Sequence, residues 1–589
     1  MSGPAEREGT WSPSARIALG SLAVLLGAVV YLNGLTNPFV YDDERTVVGN
    51  ASIHQLVNWR YVLLGHLFRP LTNQTYALDY AIWGLRPLGF HLTSLLLHMV
   101  NVALVYCLGL AVVRDHQRGG REPGGGPSTD AVTGDSGVAV AFLAAVFFAV
   151  HPMQTEAVGY ASGRADVLSA TGFVLAVLAF RRVLLGDWRW LGPALALYVL
   201  ACGAKESAIG LPLVVLAYDR LIVADRSAGG WRRLHAPLMG LLVAGAVIRT
   251  VTFVRLDQQP FAMPLWQYLL TELIVVWRYL GLLLVPVSQS IVHSVHVVTS
   301  PLDPMALLAA AGLLLLGLAA WRIRRRAPLV AFGVVWFFVL LAPSSSILPL
   351  NQAMAEHRTY LANWGIFLIA AVGAARLRVW PANSPFLPSR AARYTAAACL
   401  IAALALLTLN RNIIWAEPAR LWREATVRAP DTWFSHYALG ATLSQEGNCR
   451  GAIPALERAR ALDATVAMVH TDLGLCLMEL GRLDDAGPVL EAALRAAPES
   501  PRVHNNLGVL AWRQGNPIGA KAHFQDALRL DGSNLVARRN LAGLYETVFG
   551  DPAEALRLCR EMRVIAPTAS GVDECIRRNA ARVADGRPG

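Results

Sequence analysis

Residues 437–470 read YALGATLSQEGNCRGAIPALERARALDATVAMVH. Residues 471–504 read TDLGLCLMELGRLDDAGPVLEAALRAAPESPRVH, and residues 505–538 read NNLGVLAWRQGNPIGAKAHFQDALRLDGSNLVAR. Aligned, the three stretches place Leu439-Gly440, Leu473-Gly474 and Leu507-Gly508 in register at a spacing of 34 residues, and Leu541-Ala542 continues the series. Small residues recur twelve positions after the glycines, at Ala452, Ala486 and Ala520, and again at Ala459, Ala493 and Ala527. Each unit is long enough for two short helices, with small residues where their backbones approach. A unit of that kind cannot bury its apolar face alone, so the stretch predicts a stacked α-solenoid.

A period of 34 residues with this pattern is that of the tetratricopeptide repeat. The fourth unit carries one extra residue, so its small position falls at Ala555, and Pro498 and Pro567 stand where units end. Leu421 to Ala425 reads as the second helix of a preceding half-unit, and 568–589 as a cap with a polar outer face. Two positions before each Gly440-type residue stand Ala438, Asp472, Asn506 and Asn540. The last three form a polar line suited either to the main chain of an extended peptide or simply to solvent. Cys449, Cys476, Cys559 and Cys575 fall in this domain, and spacing leaves their pairing open.

Outward from the repeats the composition changes. The whole chain is 54% hydrophobic and only 16% charged, against about 25% charged for an average soluble domain. The excess lies before residue 411, in apolar runs of bilayer-spanning length. Spans are expected at about 17–35, 91–113, 137–151, 167–180, 190–204, 207–219, 237–253, 303–321, 328–343, 361–375 and 394–410. The chain thus divides into a membrane domain, 1–411, and a repeat domain, 412–589. Residues 17–35 read as an uncleaved signal-anchor. Cys107, Cys202 and Cys399 read as packing residues within the apolar runs.

The net charge of +11 does not indicate nucleic acid. Of 52 basic residues only Lys205 and Lys521 are lysine, and neither follows a phosphate-cradling glycine loop. The arginines sit in alternate short loops: Arg114, Arg118 and Arg121; Arg181, Arg182 and Arg189; Arg220, Arg226, Arg232 and Arg233. The intervening loops hold the acids, which is the positive-inside bias. A further apolar stretch, 268–287, contains Arg278, costly at mid-bilayer. Read as re-entrant or interfacial, it leaves eleven spans and puts the repeat domain outside; read as a full span, it makes twelve and puts that domain in the cytoplasm. Scarce lysine with abundant alanine and glycine suggests a GC-rich bacterial genome, hence an inner membrane with periplasmic repeats. Gly119 to Gly126 reads as a flexible linker.

Four outer loops then carry acids beside cations. The first holds Tyr41-Asp42-Asp43-Glu44, carboxylates able to serve as a general base or to hold a divalent cation. The second holds His151, Glu156, Arg164 and Asp166; on one interfacial helix Glu156, Tyr160 and Arg164 would share a face. The third is Lys205-Glu206, and a later one carries Glu356-His357-Arg358 and Tyr360. Together they suggest a cavity for an anionic lipid headgroup, with cations on phosphate and carboxylates on hydroxyls. His293 and His296 read as an ordinary surface feature.

In these same segments the chain resembles the transmembrane and tetratricopeptide-repeat-containing O-mannosyltransferases. The resemblance rests on Tyr41-Asp42-Asp43, Phe68-Arg69-Pro70-Leu71, Trp83-Gly84-Leu85-Arg86-Pro87, Phe90-His91-Leu92-Thr93, His151 to Glu156, Gly163-Arg164-Ala165-Asp166, Lys205-Glu206 and Ala355 to Leu361. It implies an all-α fold: a polytopic bundle of glycosyltransferase-C type followed by the solenoid. It also implies a sugar, mannose or another, carried on polyprenyl phosphate and transferred with inversion to a hydroxyl of an exported protein. Asp42 or Asp43 would be the base. Arg164, Lys205, Arg358 and Arg69 would bind donor phosphate, and His151, Glu156, Asp166, Glu206 and Glu356 would position substrate. Asp472, Asn506 and Asn540 would line the groove for a peptide acceptor. Implied partners are the lipid-linked sugar, the protein acceptor and membrane lipids, with no cofactor beyond the donor except a divalent cation if one is used. The competing expectation is a non-catalytic membrane scaffold whose repeats recruit envelope proteins.

Overall fold

The computed structural model describes residues 11–54, 56–57, 59–65, 69–119, 135–223, 231–256, 263–344, 352–379, 390–567 and 569–584. Phe68, Arg121, Arg226 and most of the glycine-rich stretch, on which expectations were placed, lie outside these residues. The described chain is helical, with no strand, and divides into two units, Met1–Pro418 and Ala419–Gly589.

The first unit contains α1 (Pro13–Tyr31), α2 (Trp59–Gly65), α3 (Pro70–Trp83), α4 (Pro87–Gly119), α5 (Asp135–Val150), α6 (Thr155–Val158), α7 (Arg164–Leu184), α8 (Leu191–Ala204) and α9 (Leu211–Tyr218). It continues with α10 (Ala236–Leu256), α11 (Leu265–Leu284), α12 (Pro304–Ile323), α13 (Pro328–Leu341), α14 (Asn363–Val379) and α15 (Arg390–Trp415). Among the described residues six stretches are long and apolar enough to cross a membrane: Pro13–Gly34, Pro87–Arg118, Ala161–Leu184, Leu265–Leu284, Pro304–Ile323 and Ala391–Trp415. The pair Ser136–Val150 and Pro152–Val158, bent by 59°, makes a seventh. The core is built from α4, α5, α7, α13 and α14, whose valines, alanines and aromatics are closed off from outside; Trp336 and Trp364 meet edge to face at 4.7 Å. By contrast α1 and α12 are mostly uncovered and apolar, as helices facing lipid should be. Cys107 and Cys399 are exposed rather than packed, because both lie on such outer faces.

α11 is long enough to span, yet its contacts lay it across one end of the bundle. The Tyr268 hydroxyl near its start donates to Ser344 O, beyond the end of α13, at 3.3 Å. The Tyr279 hydroxyl donates to Ala355 O at 2.9 Å, and Leu283 O accepts from His151 Nε2 at 3.1 Å. Start, middle and end therefore meet the loops of a single end. Its buried residues Tyr268, Thr271, Glu272, Val275, Tyr279 and Leu282 form one stripe, while Trp266, Leu269 and Trp277 face out. Arg278 is exposed and donates to Ser294 O. The helix thus lies against the loops of that end, although by length and composition it would also suffice for a span.

The second unit holds α16 (Pro418–Arg428), then helix pairs α17 (Trp433–Gln445) with α18 (Cys449–Leu462), α19 (Ala467–Glu479) with α20 (Leu483–Ala496), and α21 (Pro501–Arg513) with α22 (Pro517–Leu530). α23 (Leu535–Leu544) pairs with α24 (Pro552–Ile565), and α25 (Val572–Ala584) follows. The repeating glycine is explained by contact: a Cβ on Gly508 would stand 2.6 Å from the Phe524 ring, and one on Gly474 would meet Leu490 at 2.6 Å. The extra residue of the fourth repeat is taken up in a π-helical turn, Tyr545–Phe549, that closes α23. Cys559 and Cys575 are paired as a disulfide.

Candidate active site at the loop-bearing end

The loop after α1 is anchored before it reaches its acids. Asn37 Nδ2 donates to Asn412 O at 3.1 Å, and His91 Nε2 meets Asn37 O at 2.9 Å. Tyr41 then adopts φ +53°, the only non-glycine residue in the left-handed region among those described. Such a conformation costs of order 1–3 kcal/mol and persists only where its surroundings hold it. Here the Tyr41 ring stacks on Tyr160, and its hydroxyl accepts from Gln352 Nε2 at 3.0 Å. The Asp42 N–H donates to the Tyr160 hydroxyl at 2.9 Å.

This turn sends two consecutive carboxylates to different environments. Asp43 is fully buried: its Oδ1 accepts from both the N–H and hydroxyl of Ser162 at 2.7 Å, and its Oδ2 from Val40 N at 3.3 Å. Burial pushes its pKa up to about 7, against the opposing pull of the Ser162 and Val40 donors. Asp42 is half-buried on the rim, and its carboxylate takes no hydrogen bond or ion pair from any described residue.

The second loop is not one helix. α6 ends at Val158, Gly159 and Tyr160 break it, and α7 begins at Arg164. Gly163 sits where a Cβ would strike the Glu156 carbonyl at 2.6 Å, so the chain turns sharply there. Glu156, Tyr160 and Arg164 consequently point to three places rather than sharing a face. Glu156 caps the short helix Glu356–Thr359, accepting from Glu356 N at 2.8 Å, His357 N at 3.2 Å and His357 Nδ1 at 2.7 Å. Arg164 is enclosed, paired with Asp79 at 2.6 Å, donating to Phe90 O at 2.7 Å and lying over the Tyr76 ring. No open face of its guanidinium is left for a phosphate. Asp79, on α3, also accepts from the Thr93 hydroxyl at 2.7 Å, and its buried charge is balanced by the Arg164 cation.

The remaining candidates sort by accessibility. Lys205 is buried, with both Asp166 oxygens at 2.7 Å. Arg69 pairs with Glu206 at 3.5 Å on the more open rim. Glu356 accepts from Ser290 N at 2.9 Å, Gln289 Nε2 at 2.6 Å and His293 Nε2 at 3.0 Å. Burial would raise the Glu356 carboxyl, but His293, Arg411 and Gln289 outweigh it and hold it below its usual range. His293 is thus a buried partner of Glu356, not a surface residue, and His296 turns away to Asp303 at 2.9 Å. His151 is buried, its Nδ1 accepting from Met153 N and its Nε2 donating to Leu283 O. Burial lowers the His357 pKa to about 3, so its Nδ1–H donates to Glu156 as a neutral imidazole. Arg358 is half-buried, its guanidinium held by the carbonyls of Gln352 (2.7 Å) and Ala353 (3.2 Å), with no carboxylate partner among the described residues. Asp42 and Arg358 both act on the Tyr41 hydroxyl, with opposite effect.

In the second unit, Asp472 is occupied by Arg502 and hydrogen-bonded by Tyr437. Asn540 donates to Asn505 Oδ1 at 2.9 Å, whereas Asn506 Nδ2 is buried with no hydrogen-bond partner among the described residues. The three polar residues are therefore not equivalent along the groove.

Taken together, the chain is an all-helical protein with a bundle of apolar helices, a charged end, and tetratricopeptide repeats. A family profile described as the tetratricopeptide repeat matches residues 437–501 and 505–570. The chain is similar to the protein O-mannosyl-transferase Tmtc1 of Drosophila melanogaster, 33% identical over 217 residues, covering 34% of this chain and 23% of that one. It is also similar to the protein O-mannosyl-transferase F38B6.6 of Caenorhabditis elegans, 25% identical over 459 residues, 72% of this chain and 60% of the other. The matches thus span from about a quarter to three fifths of these two relatives. Among solved structures, a thermophilic tetratricopeptide-repeat protein of Thermus thermophilus aligns with 32% of this chain and 95% of its own, at 21% identity and a TM-score of 0.26.

Proposed function

We propose that this chain is a membrane glycosyltransferase that moves a mannose-like sugar from a polyprenyl-phosphate donor to a hydroxyl of a protein, with Asp42 as the base. The observation that carries the reading is the division between the two adjacent acids. Asp43 is sealed against Ser162 and fixes the loop, while Asp42 is held on the rim by a strained turn, its carboxylate uncommitted among the described residues. The relatives named as protein O-mannosyl-transferases support the reaction class.

Asp42 takes the proton of the acceptor hydroxyl as its oxygen bonds to the anomeric carbon. The carbon–oxygen bond to the lipid phosphate breaks on the opposite face, inverting that centre, and the phosphate leaves with the electron pair. Arg358, across Tyr41 from Asp42, offsets the charge developing on the phosphate. Arg69 assists from the open rim, and Arg164 and Lys205 support the site through Asp79 and Asp166. The cavity among Asp166, Ser169, Ser207 and Arg358 measures ≈ 30 Å³, room for water and not for a sugar. The sugar therefore binds on the rim.

Sidedness is consistent with this reading. Asn33 Nδ2 donates to Leu409 O at 2.9 Å and Asn412 Nδ2 to Val30 O at 2.8 Å, so the chain leaves the first unit at the end that bears Asp42. The arginine-rich loops stand at the opposite end, where Arg181 pairs with Asp115. By the positive-inside bias that end is cytoplasmic, and the repeats share the outer side with Asp42. Their groove would hold the acceptor, and the Cys559–Cys575 disulfide suits an oxidising compartment.

The test is transfer by purified full-length protein from polyprenyl-phosphate mannose to a serine/threonine peptide. Asp42→Asn should lose roughly 10²–10⁴-fold in rate, the usual contribution of a general base, with thermal unfolding unchanged. Full activity in that variant would end the base assignment. A wild type inert with every lipid-linked sugar, yet still capturing envelope proteins, would favour the scaffold.

A further inference from the structure

The fourth residue of the first helix in three successive repeats is histidine: His436, His470 and His504. Each uses Nε2 to donate to a carbonyl six residues earlier, Pro430 O at 2.9 Å, Ala464 O at 2.8 Å and Pro498 O at 3.0 Å. In the fourth repeat Arg538 takes that place. It donates to Gly532 O at 2.8 Å and reaches across to Glu561 on α24 at 3.1 Å. The histidine is thus part of the repeat architecture, and its Nε2 proton leaves Nδ1 with a free lone pair.

Only the third repeat places further ligands opposite that lone pair. His523 and Asp526, three residues apart on one face of α22, correspond to Ala455 and Arg458, Val489 and Ala492, and Leu558 and Glu561 in the other repeats. The Nδ1 atoms of His504 and His523 are both buried without a hydrogen-bond partner among the described residues. Asp526 Oδ2 is 3.9 Å from His504 Nδ1, too far for the direct pair that Arg538 and Glu561 make. One ligand atom from each of the three residues lies within 4.8 Å of the others. The other Asp526 oxygen is engaged by Arg529 at 3.1 Å.

We propose that His504, His523 and Asp526 bind a divalent transition metal of the zinc class. Two imidazoles and a carboxylate match the ligand set of such ions, leaving a fourth position for water or an outside ligand. Bonds of about 2.0–2.1 Å at a tetrahedral angle call for ligand separations of about 3.3 Å, a closure within reach of rotation about the side-chain bonds of His523 and Asp526. The bond from His504 Nε2 to Pro498 O is the outer-shell support that fixes the metal-binding tautomer. The ion ties α21 to α22 and stiffens the third repeat.

The experiment uses full-length protein in detergent, stripped with chelator and titrated with Co²⁺ and Zn²⁺. His523→Leu installs the residue found at that position in the next repeat and leaves the His504–Pro498 bond intact. Wild type should bind one equivalent more than His523→Leu, with a tetrahedral Co²⁺ absorption band that the variant lacks and at least tenfold tighter Zn²⁺ binding. Asp526→Asn should weaken binding in the same direction, and it decides the matter if the leucine variant misfolds. Equal stoichiometry and identical spectra in wild type and the folded variants would overturn the site.

Discussion

The two units handle charge in opposite ways. In the first, the principal ion pairs are buried and join distant segments: Arg164 with Asp79, Arg181 with Asp115, Lys205 with Asp166. In the second, many are local and exposed, such as Arg482 with Asp485 and Arg577 with Glu574, three residues apart on one helix. Surface pairs of that kind contribute about 0–1 kcal/mol, whereas removing one partner of a buried pair costs about 3–5 kcal/mol. The helices of the first unit present similar apolar surfaces, and a few buried pairs select which of them meet. The second unit takes its register from repeated apolar contact, and its charges are largely solvation.

The sharpest way to break that contrast is Arg164→Ala, which leaves Asp79 charged, buried and unpaired. It should destabilise the first unit by about 3–5 kcal/mol, seen as early thermal inactivation in detergent, while the helical signal of the repeats persists. If stability were unchanged and only donor affinity fell, Arg164 would be a phosphate ligand after all. A smaller loss, about 1–3 kcal/mol, is expected from Gly508→Ala, because its new methyl overpacks against Phe524. Calorimetry should show it in the repeat transition alone.

Asp43 offers a pH-dependent form of the comparison. Its folded pKa is raised to about 7 from an ordinary value near 4. The native state therefore holds the proton more tightly, and this group's contribution to stability falls as pH rises from about 4 to 7 and is flat outside that window. Asp43→Asn should remove that slope from the unfolding midpoint measured against pH; an unaltered slope would assign it to another group. Smallest of all, Arg577→Ala should shift repeat stability by less than about 1 kcal/mol.

What the sequence disclosed follows the same division. The repeats were legible to the residue because Gly474 and Leu490, or Gly508 and Phe524, meet within one period and the period is printed three times. The apolar helices were legible from length. The pairing of Arg164 with Asp79, 85 positions apart, was not, because nothing periodic joins them. Motif reading sent that arginine to a ligand when the fold had already engaged it. Nor could adjacency separate Asp42 from Asp43, since the left-handed turn at Tyr41 that parts them leaves no trace in residue type.

The π-helical turn at Tyr545–Phe549 carries a lesson about how such arrays change length. One residue inserted into an unbroken α-helix rotates everything beyond it by about 100° and would swing Cys559, Phe524's neighbours and the last helices out of phase. Here the slip is contained within five residues and released at Gly550, in the left-handed conformation, so α24 docks at Ala555 as though no residue had been added. The seam between the helices of a unit is thus where the solenoid absorbs a mutation in chain length, and the part of this half of the molecule most open to editing by insertion.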